Sequence, residues 1–173
     1  VAHLPDGLDI ARHRDGSGRA ELLARWIVLG LLTVLVGAGL FSIFGQRSSS
    51  ETAIADSASL EVSAPDRLRG GLFYQGRFTV EAHAPIERPV LLLQPGWLEG
   101  TSVNTIEPAP TEESSLDGNL ALEYGSLSEG DRLVVYMQFQ VNPTTVGRRS
   151  AGVELLDGET PVASVERTVT VFP

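Results

Sequence analysis

The 173 residues include no cysteine and no lysine, and only three histidines. Without thiols the chain has no disulfide, no thiolate nucleophile and no cysteine-bound metal. Without lysine it has no amine nucleophile, and all thirteen cationic side chains are arginines. His3 and His13 precede a long apolar run and His83 follows it, so no pair stands at ligand spacing. The motifs Gly-x-Ser-x-Gly, Ser-x-x-Lys and His-Glu-x-x-His are absent, as is a phosphate-cradling glycine loop. With nucleophile-plus-base arrangements nearly exhausted, no catalytic residue, cofactor site or metal ligand is assigned, and the chain reads as a non-enzyme. Positive charge is scarce too. The net charge is −9, and residues 46–173 carry all of it, with nine arginines against eighteen carboxylates. So acidic a segment lacks the cationic field that displaces phosphate counterions, which argues against nucleic acid as a partner.

Charge is missing altogether from Trp26 to Phe44, WIVLGLLTVLVGAGLFSIF. Nineteen helical residues rise about 28 Å, close to the hydrocarbon thickness of a bilayer. The run is expected to be a single transmembrane helix. Arg12, Arg14, Arg19 and Arg25 precede it, and Arg47 alone follows closely. Basic residues stay on the cytoplasmic side, so the N-terminus is expected in the cytoplasm and the C-terminal part outside the plasma membrane. A cleaved signal peptide is the competing reading. Its apolar core is usually shorter, and Ala53-Ile54-Ala55 lies too far past the run for ordinary cleavage. Four segments follow: a cytoplasmic tail 1–18, a helix with a cytoplasmic extension 19–45, a linker 46–57 and an extracytoplasmic domain 58–173. Gly30, Thr33 and Gly37 fall at i, i+3 and i+7, a stripe where small side chains permit close helix packing. The same residues also fit mere membrane-helix composition.

Gln46 to Ser57 is polar, serine-rich and aperiodic, hence the linker. From Ala58 the pattern alternates. Leu72, Tyr74, Gly76, Phe78, Val80 and Ala82 share one strand face, and Leu133, Val135, Met137, Phe139 and Val141 share another. Pro89 to Gln94 is a short apolar run suited to a central strand, and no helical period is found after residue 50. Seven or eight strands at this spacing predict a mainly β domain, an immunoglobulin-like antiparallel sandwich, with a small barrel as the structural alternative.

The stretch from Leu120 to Val141 contains Gly125-Ser-Leu-Ser-Glu-Gly-Asp131 before its long strand. It resembles the Gly-x-Leu-x-x-Gly-Asp corner of bacterial immunoglobulin-like, adhesion-type repeat domains. The resemblance implies the sandwich fold and a binding or scaffold role. The whole chain also looks like the small anchored proteins of G+C-rich bacteria that accompany larger membrane proteins.

Candidate contact residues are few. Trp97 beside the Pro95-Gly96 turn is an interface anchor or a core indole. Glu107, Glu112 and Glu113 lie in a long acidic connection, 104–118, whose spacing fits no calcium loop. Arg148 and Arg149 suit an anionic group or cover a sheet edge. Alternating strands counted from Ala58 would put the connections 83–88, 104–118 and 142–147 toward the membrane, and 65–70, 95–96, 125–130 and 157–159 away from it. The expected function is an accessory subunit whose helix packs on an integral membrane partner, or on itself, and whose sandwich caps that partner. The alternative is an independent cell-envelope module that binds glycan or protein through its loops.

Overall fold

The structure, a computed structural model, describes residues 18–40 and 46–173. The expected tail, Gly18 excepted, and the end of the expected helix over 41–45 lie outside the described residues. The chain divides into two compact units, one through residue 44 and one from residue 45.

In the first unit, α1 spans Gly18–Leu40, 23 residues or about 35 Å of helix. Its sequence is rich in leucine, alanine and valine and has no proline, so every backbone N–H past the first turn has an i−4 carbonyl to meet. Among the described residues it is the one helix long and apolar enough to cross a membrane. None of its residues is buried. Thr33 Oγ1 donates to Leu29 O at 2.8 Å, which satisfies the hydroxyl within the helix rather than across a contact.

The second unit is all β. Its strands are β1 (Ser48–Ile54), β2 (Ala58–Pro65), β3 (Arg67–Arg69), β4 (Phe73–Ala82), β5 (Pro89–Leu93), β6 (Thr101–Glu107) and β7 (Glu112–Leu116), then β8 (Asn119–Glu123), β9 (Arg132–Val141), β10 (Gly147–Ser150), β11 (Val153–Asp157), β12 (Thr160–Val165) and β13 (Thr168–Phe172). One five-stranded antiparallel sheet has the order β1-β2-β4-β9-β6, and a second has the order β12-β11-β5-β8-β7. A third, small sheet has the order β10-β13-β3, with β13 and β3 parallel. Alternation supplies the core. Leu60, Val62, Phe78, Val80, Val135, Met137 and Phe139 of the first sheet meet Leu91, Leu93, Leu122, Val153 and Leu155 of the second. β5 is buried on both faces because Val90 and Leu92 join Ala121 and Leu156 in a smaller cluster behind the second sheet.

The fold is therefore a helix followed by a β-sandwich, with β1, β6, β7 and β12 left as sheet edges; it does not close into the alternative barrel. Thirteen strand segments replace the expected seven or eight, since several are short edge pieces without apolar alternation. The clearest correction is the linker. Residues 48–54 form β1, laddered to β2 from Ser48↔Pro65 to Ile54↔Ser59. Its side chains alternate half-buried and exposed, but they are mostly serine, threonine, glutamate and alanine, so hydropathy does not reveal the period.

That extra strand reverses the ends of the first connections, and a second unexpected strand, β7, restores the count after Asn119. Ser48 lies at the same end of the sandwich as 65–72, 94–100 and 142–147. Gly71 N–H donates to Val141 O at 2.9 Å and Asn142 N–H to Gly100 O at 3.0 Å. Connections 55–57, 83–88, 108–111, 124–131 and 157–159 gather at the opposite end. Ile86 and Leu127 exchange hydrogen bonds there, and Gly158 N–H donates to Arg88 O at 2.8 Å. The expected placement of 83–88 and the acidic connection with the 142–147 loop is overturned, because β7 adds a strand between them. Most of 104–118 is itself strand, within β6 and β7. The Gly125–Asp131 corner closes as its pattern requires. Leu127 bridges to Ile86, Gly130 takes φ +86°, and Asp131 Oδ2 accepts Ser128 N–H at 2.7 Å.

Candidate interaction surfaces

Trp97 belongs to the core. It closes a single 3-10 turn, Pro95–Trp97, and is 1% exposed. Its ring meets Phe78 edge-on at 5.2 Å and Phe139 at 5.4 Å, and Nε1 donates to Gly152 O at 3.2 Å. The turn reaches inward because Gly96 has no side chain; a Cβ there would stand 1.7 Å from Ser150 O. Gln94 locks the same junction, its Oε1 accepting Ser150 Oγ at 2.8 Å and Gly152 N–H at 3.0 Å. Trp97 is therefore not an interface residue.

The remaining candidates separate. Glu107, Glu112 and Glu113 are exposed around the connection between β6 and β7. Register sets Glu112 opposite Glu123, whose carboxylate accepts Arg88 Nη2 at 2.7 Å. The hydrogen bond and charge of Arg88 hold the Glu123 carboxyl below its ordinary range. Among the described residues no three histidine, aspartate or glutamate side chains are placed to hold a metal. Arg148 and Arg149 sit on β10 at the other end, and their side chains diverge. Arg148 is exposed, whereas Arg149, paired with Val169, turns inward and its charge acts on Tyr74.

The flank between β6 and β7 is open. A groove of about 470 Å³ runs there over Leu98, Val103, Ile106 and Leu120, with Asn104 and Glu113 on its rim. The β6 ladder slips between Val103 and Thr105, so a bulge bends this edge strand beside the groove. The other flank is held by a residue that sequence reasoning missed. Arg167 is 3% exposed and reaches from the β12–β13 link to donate to Val62 O at 3.1 Å, Ala64 O at 2.7 Å and Ser49 Oγ at 3.2 Å. It fastens β1 and β2 without a bridging carboxylate. Burial pulls its pKa down, while Glu51 and Asp66 oppose that pull. An arginine between a glutamate and a threonine, Glu166-Arg167-Thr168, carries no pattern that marks it as buried.

Charge is segregated between the two ends. Segments 47–48, 65–72, 95–100, 116–119, 142–150 and 165–172, at the Ser48 end, hold six arginines and four carboxylates. Segments 55–57, 81–88, 107–113, 123–132 and 157–159, at the opposite end, hold two arginines and eleven carboxylates. Exposed apolar side chains are found at both ends, with Ile54, 79% exposed, at the acidic one. Leu72, Phe73, Val146 and Phe172 all stand at the Ser48 end, with Phe73 61% exposed and Val146 58%.

No family model and no curated protein matches the chain. Among solved structures it is similar to the CARDB domain of a Pyrococcus furiosus protein, at 14% identity and TM-score 0.44, over 66% of this chain and 94% of that domain. It is also similar to the chitin-binding domain of a hyperthermophilic chitinase from Pyrococcus furiosus, at 16% identity and TM-score 0.39, over 63% of this chain and 95% of that one. Likenesses this distant carry no argument about what the present chain binds.

Proposed function

We propose that the chain is a single-pass subunit of a bacterial plasma membrane whose helix packs on an integral membrane partner, or on a second copy of itself, and whose extracytoplasmic sandwich binds rather than catalyses. The observation that carries this reading is α1: 23 residues, none buried, and uncharged around the circumference from Trp26 to Leu40. Such a surface needs lipid or another helix to cover it. Gly30, Thr33 and Gly37 thin one stripe of it, and a Cβ added at Gly30 or Gly37 meets nothing within 4 Å among the described residues of the helix. The four arginines before Trp26 support the cytoplasmic N-terminus. The Gly125–Asp131 corner supports the finer reading of the sandwich as immunoglobulin-like and of adhesion type. Mild detergent extraction from native membranes followed by native mass spectrometry tests the proposal. A stable complex or homo-oligomer is expected; recovery as a lone monomer would count against it.

One observation favours the alternative, an independent envelope-binding module: the open groove between β6 and β7. If that groove is the principal site, the full chain in detergent binds isolated cell-wall material, and Ile106→Arg abolishes the binding.

A further inference from the structure

The three-stranded sheet β10-β13-β3 has two unlike faces. Leu68, Val169 and Val171 are buried against the core. The alternate residues lie on the outer face. Register pairs Thr170 with Arg148 on one side and with Arg67 on the other, and pairs Phe172 with Arg69. Arg67 and Arg148 therefore stand two strands apart, about 10 Å, with Arg69 and Phe172 one pleat further along the same face. Phe73, the first residue of β4, and Val146, which precedes β10, are exposed at the same Ser48 end.

From this juxtaposition we propose that the outer face of β10-β13-β3 is a lipid-contact surface: Arg67, Arg69 and Arg148 engage the phosphates of anionic phospholipids, and Phe73 and Phe172 enter the head-group region. The inference rests on the reading that α1 spans the bilayer. Two further observations select lipid as the occupant. Seven residues separate Leu40 from Ser48, so no arrangement of the chain can carry Ser48 more than about 28 Å from the last turn of the helix. The opposite end is strongly acidic and is repelled by the same surface, so the field of the whole sandwich turns the arginine face toward the lipid. Guanidinium groups suit phosphate, and apolar phenylalanine rings suit the boundary between head groups and acyl chains.

The absence of cysteine makes the test direct. Single variants of the full chain, Val34→Cys, Val146→Cys and Glu129→Cys, each take one nitroxide label and are reconstituted in phosphatidylcholine vesicles with or without phosphatidylglycerol. The label at position 34 reports the hydrocarbon core, that at 146 the proposed face and that at 129 the acidic end. Oxygen accessibility at 146 is expected to rise toward lipid values with phosphatidylglycerol and to fall again in high salt, while 129 stays aqueous. Adding Arg148→Gln is expected to lower the lipid-contacting fraction at 146 about fivefold at low salt. A label at 34 in lipid with one at 146 as aqueous as that at 129 overturns the inference and leaves the anchor standing. A label at 34 in water overturns the anchor itself. Immersion at 146 that ignores lipid charge overturns the role given to the arginines. Protection at 146 that appears only in native membranes, and not in either vesicle, assigns the face to a protein partner and overturns lipid as its occupant.

Discussion

At the level of single residues, the sandwich depends on a few side chains whose roles follow from what they touch. Trp97 fills the centre between Phe78 and Phe139. Trp97→Ala is expected to cost about 3–5 kcal/mol by urea unfolding. Gly96→Ala is expected to cost about 3 kcal/mol although it adds one methyl, because the atom in its way is the backbone oxygen of Ser150, which cannot rotate aside. Arg167→Ala removes a guanidinium that donates to two strands and is expected to cost about 2–3 kcal/mol, with faster amide exchange in β1 as the local readout. Burial pushes the phenols of Tyr74 and Tyr124 above their ordinary range, with Arg149 and Arg167 opposing it at Tyr74. A raised phenol pKa means that the fold holds the neutral form. Its contribution is complete below the unfolded value of about 10 and is lost as pH rises past it. The urea midpoint should therefore fall above about pH 10, and Tyr124→Phe should make that fall shallower.

Elements differ in how far the sequence discloses them. The helix is legible because nineteen uncharged residues in succession have few other uses. β4, β5 and β9 are legible because their inner faces are large and apolar. β1 is not, because a strand that pairs through its backbone and tucks in a serine, a glutamate and an alanine leaves no hydropathic period. Missing it reversed the ends assigned to 65–70, 83–88 and 95–96, and missing β7 within the acidic connection restored the count for every connection after Asn119. Trp97 shows a related limit: a tryptophan beside Pro-Gly reads equally well as a surface anchor until the close approach of Gly96 to Ser150 is seen. For the helix, Gly37→Leu separates folding from association. Among the described residues of the helix nothing opposes the added side chain, so an unchanged helix signal by circular dichroism should accompany loss of the co-purifying partner or dimer.

For the molecule as a whole, charge matters through its distribution more than its total. A chain of net charge −9 carries an arginine-rich, aromatic-rimmed end and a carboxylate-rich end, and the first strand after the helix begins at the former. Composition gives the total; only the strand order shows which residues share an end. The central claim is that the apolar helix is a bilayer anchor with the sandwich on the outer side of the plasma membrane. It is tested most directly by treating intact cells that express Glu129→Cys with a membrane-impermeant maleimide and then washing the membranes with alkaline carbonate. The account predicts a labelled chain retained in the membrane pellet; a chain labelled only after lysis, or released into the wash, would contradict it.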